Sequence, residues 1–200
     1  TLDNQVCALL VETRAEQSTD LEIQIGQILS ALKGIQTVLP PQFTDNPSEC
    51  AHLWKIRKGM FPSVGAMRKK GTTVIIEDVA FPVLRLAEAT LDLQKLFEKW
   101  GYHEAVIFGH ALMGNLHFVF TQDFSSEKEI ERYKNLMEEV AELVVRKYDG
   151  SLKAEHGTGR NVAPFVELEW GTEAYLLMKR IKTIFDPDHL LNPGVIINND

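Results

Sequence analysis

The chain has 200 residues, 44% of them hydrophobic and 24% charged, a composition that suits one folded domain or a tight pair and excludes disordered and low-complexity classes. Twenty-one Lys+Arg against 28 Asp+Glu leave a formal charge of −7, which repels phosphate backbones, so nucleic acid is not an expected partner. No apolar run approaches the roughly 20 residues of a bilayer span, and the first residues lack the basic-then-apolar order of a secretion signal; a soluble, cytoplasmic chain is expected. Cys7 and Cys50 are the two cysteines and neither has a Cys-x-x-Cys partner, so a disulfide scaffold or thiolate zinc knuckle cannot be built and both thiols are expected to be buried. The chain begins at Thr1 and enters an apparent strand (6–13) almost at once, so a domain excised from a longer polypeptide is expected.

After that strand, the Thr19-Asp20-Leu21-Glu22 box predicts a helix that Gly34 can stop. Ile35 to Leu39 reads as a second strand, closed by Pro40-Pro41. Asn46-Pro47-Ser48-Glu49 combines a cap, a proline at the first helical position and a first-turn acid, predicting a helix that carries Leu53, Trp54 and Arg57 and ends before Pro62. Thr72 to Val79 is β-branched and apolar and reads as a buried strand, and Pro82 to Trp100 as an amphipathic helix carrying Leu84, Leu91 and Leu96. Glu104 to Phe108 and Leu116 to Phe120 are two short strands that can pair as a hairpin. Ser126-Glu127-Lys128-Glu129 is a capping box, after which Ile130, Tyr133, Met137, Val140, Ala141, Val144 and Tyr148 share one helical face until Gly150. Ser151 to Glu155 supplies another strand, and Thr172 to Phe185 a final helix.

Residues 72–155 thus spell strand-helix-strand-strand-helix-strand. The expected fold class is α+β: a ferredoxin-like antiparallel sheet with helices on one face, in a single domain over 1–200.

Three polar clusters fall where this pattern makes side chains converge. His110, at the end of one strand, and His117, early in the next, are brought close by a hairpin whose bend Gly109 and Gly114 allow; two neutral imidazoles so placed can bind zinc or manganese, or each can be a sheet residue bonded to backbone. Glu155, at the exit of the last strand, can lie beside His117 and complete a two-His, one-acid site, with His156 free for proton transfer if the backbone turns at Gly157. Arg57 on the capped helix and Arg68, Lys69 and Lys70 after it form a basic cluster, and a guanidinium entering such a site suits a carboxylic acid. Trp54 and Phe61 are expected in the core.

Together, His110-x6-His117, Glu155-His156-Gly157-x-Gly159 and Leu190-Leu191-Asn192-Pro193-Gly194 resemble the C-terminal, substrate-capping domain of FAD-linked oxidases related to vanillyl-alcohol oxidase, in the branch of the D-2-hydroxyglutarate, glycolate and D-lactate dehydrogenases. Trp54-x-x-Arg57 and the 72–82 segment resemble the bacterial large form, which joins a flavin domain to an iron–sulfur segment. The resemblance implies that His110, His117 and Glu155 hold a divalent metal (zinc or manganese), that His156 is the catalytic base, and that Arg57, Arg68 and Asn115 bind substrate. It further implies that Asn192 approaches FAD, bound mainly by a flavin-binding domain of the same parent chain, which would also carry any iron–sulfur cluster. Ile76 and Val119 depart from the hydroxyglutarate enzymes, which have Lys and Asn there.

The implied activity is oxidation of a small D-2-hydroxy acid to the 2-oxo acid by hydride transfer to flavin, with this chain inactive alone, its exposed apolar face promoting self-association, and peripheral attachment to the inner membrane through the electron acceptor as a variant of the cytoplasmic expectation. The alternative is a ferredoxin-like ligand-binding or assembly module whose histidines are structural.

Overall fold

In the computed structural model residues 6–198 are described, and the chain divides within its second helix into two compact units, 1–60 and 61–200. In the first unit, residues 6–15 are irregular rather than a strand, and so are residues 35–39. Among the described residues neither stretch has a neighbour to complete a ladder, and apolar residues without a partner strand do not stay extended as sheet. Helix α1 (Ser18–Ala31) starts one residue before the predicted box, with Gln17 in the cap position and no side-chain cap bond. At the start of α2 (Pro47–Met67) Asn46 Oδ1 accepts from the N–H groups of Ser48 at 2.9 Å and Glu49 at 3.4 Å, the cap that the sequence signals.

α2 does not stop before Pro62 but runs through it into the second unit. Proline removes one helical donor and crowds the preceding turn, yet its fixed φ is helical, so the residue weakens the helix without turning the chain. Trp54 and Phe61, seven residues apart and so on one face of α2, are exposed, not core: the helix has no buried residue, so that face is not covered. Cys7 is exposed and Cys50 half-buried, its Sγ 3.6 Å from the Thr44 carbonyl oxygen, which corrects the expectation of two buried thiols.

The second unit holds the sheet. Strand β1 (Thr72–Ala80) leads through a 3-10 turn (Val83–Arg85) into α3 (Leu86–Lys99); β2 (Val106–His110) and β3 (Asn115–Asp123) form the predicted hairpin around a 3-10 turn, Ala111–Met113; α4 (Glu127–Glu142) follows. Ser126 caps α4 by accepting from Glu129 N–H. α4 ends in a π-helical turn, Leu143–Lys147. The strand order is β1-β3-β2, all antiparallel, with a 3-stranded sheet where four strands were expected. The segment after Gly150 makes a single antiparallel bridge, Ser151 to Ala80, on the free edge of β1. The architecture is α+β and compatible with a ferredoxin-like unit whose fourth strand has shrunk to one pair. Past that pair the backbone donors turn to side chains: Leu152 N–H to Glu169 Oε2 at 3.0 Å, Lys153 N–H to Ser151 Oγ at 3.3 Å, and those of 154–156 to Asp78.

β3 is central, and its register with both neighbours divides the sheet into two faces. Leu116, Phe118 and Phe120 stand opposite Val79, Glu77 and Ile75 of β1 and join the core with Ala89, Leu93 and Phe97 of α3 and Leu136, Val140, Ala141 and Val144 of α4. The buried stripe of α3 is therefore 89-93-97; Leu84 and Leu91 point to solvent. Asn115, His117 and Val119 occupy the other face and are buried too. Gly114, in the left-handed region at φ 65°, closes the hairpin where a Cβ would collide with the carbonyl oxygen of Phe81.

Beyond the short α5 (Gly159–Val162) and a 3-10 turn (Ala163–Phe165), α6 (Val166–Phe185) is broken at Gly171 (φ 77°, ψ 162°), so its longer segment begins at the predicted Thr172. Among the described residues no helix is long and apolar enough to cross a membrane.

After α6, Asp186 closes the next turn. Its carboxylate accepts from the N–H groups of Leu190 and Leu191, each at 2.9 Å, and pairs with Lys182. The Lys182 ammonium, together with those backbone donors, lowers the Asp186 pKa from 3.8 to about 2. A carboxyl depressed in the fold stabilises it fully above its unfolded pKa and loses that contribution as pH falls toward the folded value. The 190–194 turn should therefore loosen between about pH 4 and pH 2, seen as accelerated amide exchange of Leu190 and Leu191; Asp186→Asn should show that faster exchange already at pH 7 and lose the pH dependence.

Candidate metal centre

Cross-strand pairing explains why the two histidines meet. His117 lies opposite Phe108 on β2 and Asp78 on β1, while His110 pairs with Asn115 at the hairpin end. Side chains directly opposite on an antiparallel ladder share a face, so His117, Asp78, His110 and Asn115 all project from the side of the sheet away from α3 and α4. The rings of His110 and His117 lie 5.4 Å apart at 89°.

Glu155 arrives from outside the sheet. Its Oε1 is 3.0 Å from His117 Nε2 and 3.4 Å from His110 Nε2, so one carboxylate oxygen faces both imidazoles. His156, the next residue, stacks on His117 with ring centroids 4.9 Å apart and planes 14° from parallel. Alternation along a strand would put residues 155 and 156 on opposite sides; a bend over 154–156, ahead of Gly157, makes them converge.

Asp78 causes that bend. Its side chain is fully buried, and Oδ2 accepts three successive backbone N–H groups, from Ala154 at 3.2 Å, Glu155 at 2.6 Å and His156 at 3.1 Å. Consecutive amides aimed at one anion form a concave nest, and donors spent on it are withdrawn from the β1 ladder. Burial works to raise the Asp78 pKa, but the N–H bonds from Glu155 and His156, with the nearby charges of His156 and Lys153, outweigh it, and the pKa falls below 3.8.

Lys153 pairs with Glu77 and lies 3.7 Å from Asp78 Oδ1, and Asn161 Nδ2 donates to Glu77 Oε1 at 2.7 Å. One ammonium thus serves two buried carboxylates. Sequence reading missed Asp78, Glu77, Lys153 and Asn161; the only local signal was a pair of adjacent acids inside an otherwise apolar strand, Glu77-Asp78, which burial in the sheet obliges to find partners.

The donor set suits a divalent cation. His117 is buried, which lowers its pKa chiefly by desolvation, with the adjacent His156 adding to the effect, and the neutral imidazole is the ligating form. One ligand atom from each of His110, His117 and Glu155 falls within 4.8 Å of the others, and His110 and Glu155 are half-exposed, so positions remain open on the outer side. A pocket of about 530 Å³ adjoins them, lined by His110, Asn115, Lys153 and Glu155 among others, within the size range of small-ligand sites.

The remaining predicted residues are placed differently. Asn115 is buried beside the pocket with Oδ1 unpartnered among the described residues. Arg68 is exposed, its guanidinium donating to the carbonyls of Thr72 (3.2 Å) and Gly65 (3.1 Å), at the end of β1 opposite the histidines. Asn192 is exposed in the turn after α6, in the left-handed region at φ 43°. Arg57 belongs to α2 in the first unit and is half-buried.

Residues 1–196 match the family of FAD linked oxidases, C-terminal domain, and the chain belongs to that family. It is 36% identical over 158 residues to the mitochondrial D-lactate dehydrogenase [cytochrome] of Arabidopsis thaliana, covering 78% of this chain and 27% of that protein. It is 31% identical over 138 residues to glycolate oxidase subunit GlcD of Bacillus subtilis (69% of this chain, 29% of that protein), and 28% identical over 193 residues to D-2-hydroxyglutarate dehydrogenase of Pantoea ananatis (94% and 19%). The chain thus spans less than a third of the length of these relatives.

Removing the Lys153 ammonium leaves Glu77 and Asp78 buried without a cation. Lys153→Met should destabilise the chain by about 3–5 kcal/mol in denaturant unfolding, and adding Glu77→Gln should restore part of the loss; additive single effects would show that the pair is not coupled.

Proposed function

We propose that this chain is the substrate- and metal-binding domain of an FAD-dependent D-2-hydroxy-acid dehydrogenase of the D-lactate or D-2-hydroxyglutarate type. The observation that carries the reading is the approach of Glu155 Oε1 to both His117 Nε2 (3.0 Å) and His110 Nε2 (3.4 Å) beside a pocket, with His156 against the same imidazole. His110, His117 and Glu155 would hold zinc or manganese. When bound, the cation lowers the pKa of a coordinated substrate hydroxyl, and the flavin, held by another domain of the parent chain, takes the hydride.

The residues of this chain supply the rest. His156 takes the hydroxyl proton at Nε2 as the substrate C–H electron pair departs, leaving a 2-oxo acid; its Nδ1 lies 3.7 Å from Asp78 Oδ1, so the imidazolium formed faces a buried carboxylate. Asn115 orients the substrate carboxylate from the pocket wall through its amide N–H groups. Leu84, Leu112 and Met113, exposed on the 3-10 turns beside the hairpin, are the apolar surface on which the flavin domain would seat, and which would drive self-association of the free chain.

The chain should bind one equivalent of Zn²⁺ or Mn²⁺, with binding lost on His117→Ala and weakened at least tenfold by Glu155→Gln, as read by calorimetry with the metal alone. In the parent protein, D-lactate or D-2-hydroxyglutarate should bleach the flavin absorbance, and His156→Ala should slow that step by 10²-fold or more while leaving the metal content unchanged. Folded wild-type chain that takes up neither cation would leave the histidines as structural residues of a binding module.

A further inference from the structure

A second buried carboxylate grips the segment that carries Glu155 and His156. Glu77 is 4% exposed and stands opposite Phe118, on the face of β1 away from Asp78. Its two oxygens are divided between two residues of that segment: Oε2 pairs with the Lys153 ammonium, and Oε1 accepts from Asn161 Nδ2 at 2.7 Å. Glu155, His156, Gly157 and Gly159 lie between those two residues. Just upstream the segment is anchored again, because Glu169 accepts from Leu152 N–H at 3.0 Å and from the Ser151 hydroxyl at 2.6 Å. Downstream, Asn161 sits on the short α5, and the residue after it, Val162, is buried in the core. The stretch between is thinly packed: among the described residues a Cβ at Gly157 or Gly159 would meet no atom beyond its chain neighbours within 4 Å.

We infer that Glu77 is a positioning residue for Glu155 and His156: by holding Lys153 with one oxygen and Asn161 with the other it ties residues 153–161 into a closed loop, and Asn161 is the member that closes it. A loop with tied ends has fewer arrangements than an open segment, so the bend on Asp78 is ordered at a lower entropic cost. Adjacent acids of β1 then hold the loop from opposite faces of the strand, Glu77 at its neck and Asp78 at its bend. The consequence for cation binding rests on the proposed function; the closure itself does not.

The neck can be opened at its exit alone. Asn161→Ala removes one donor and leaves the Lys153–Glu77 pair, the three N–H bonds to Asp78 and the buried Val162 in place, whereas Glu77→Gln unpairs an ammonium inside the fold and carries the larger risk of unfolding. In the metal-free chain, amide exchange of Ala154, Glu155 and His156 should be at least tenfold faster in Asn161→Ala than in the wild type, while that of Phe118 and Phe120 in β3 stays within twofold. The proton shifts of the His117 ring should lose the displacement imposed by the His156 ring stacked on it at 4.9 Å. Arg160→Ala, one position earlier on α5, should change neither. Titrated with Zn²⁺ alone, Asn161→Ala should bind about tenfold more weakly than the wild type.

Unchanged exchange at 154–156 overturns the inference, and so does exchange accelerated equally in β3, which would make Asn161 a contributor to overall stability and nothing more. A wild type that binds Zn²⁺ with a folded Asn161→Ala that binds it equally also overturns it. If the wild type binds no cation, the cation reading falls alone, and the exchange and ring-shift measurements on the metal-free chain still decide the role of Glu77.

Discussion

Oδ2 of Asp78 receives the backbone N–H groups of three consecutive residues, and the candidate centre depends on that contact. An ionised carboxylate with no exposed surface would ordinarily cost several kcal/mol. Three charge-assisted bonds, each worth about 1.5–3 kcal/mol, are of the size needed to offset it, and the approach of Lys153 adds to them. The fourth strand has already ended after one bridge pair, where Leu152 N–H turns to Glu169 and Lys153 N–H to Ser151 Oγ. The three bonds to Asp78 hold the bend that sends Glu155 and His156 to the same imidazole.

The sheet carries two different solutions to burial on its two faces. Against α3 and α4, phenylalanines of β3 pack with aliphatic residues; Phe97 meets Phe118 and Phe120 with ring centroids 5.4 and 5.8 Å apart. On the opposite face the central strand presents Asn115 and His117, polar and nearly inaccessible. A buried imidazole on a central strand is rigidly held by ladder bonds on both sides, which suits a group that must present one nitrogen in a fixed direction. His110 and Glu155, at the hairpin end and in a bend, are half-exposed and leave room for a ligand. The rigid member of the trio therefore lies in the sheet and the accessible members at its rim.

The chain belongs to the FAD-linked oxidase C-terminal family, and in its fold one carboxylate oxygen of Glu155 faces both His110 and His117. Relatives named for D-lactate, glycolate and D-2-hydroxyglutarate share the small 2-hydroxy acid as a common element, and two imidazoles with a carboxylate are suited to a cation that an α-hydroxy carboxylate can chelate. The pocket beside them is lined by one lysine, Lys153, already committed to Glu77 and Asp78.

Local chemistry in the sequence was enough for the elements whose signals lie within a few residues: the caps at Asn46 and Ser126, the hairpin with Gly114, the face of α4, and the restart of α6 at Thr172. Type and spacing also singled out His110, His117, Glu155 and His156 as candidates, and the fold brings these four side chains together. Local chemistry failed where the deciding partner is remote. Residues 6–13 and 35–39 have strand composition but no adjacent strand among the described residues, and Trp54 and Phe61 have core composition but lie on a helix with no buried residue. Arg68 has the chemistry of an anion clamp but spends its guanidinium on the carbonyls of Gly65 and Thr72. The part of Asp78 could be seen only in three dimensions: its partners lie 76 to 78 positions along the chain, and hydrogen-bond donors that far away carry no periodicity for a sequence to display. Sequence alone determined the local elements and singled out candidate side chains; the tertiary structure decided which of them meet, since a buried charge selects its partners by distance in space and not by order in the chain.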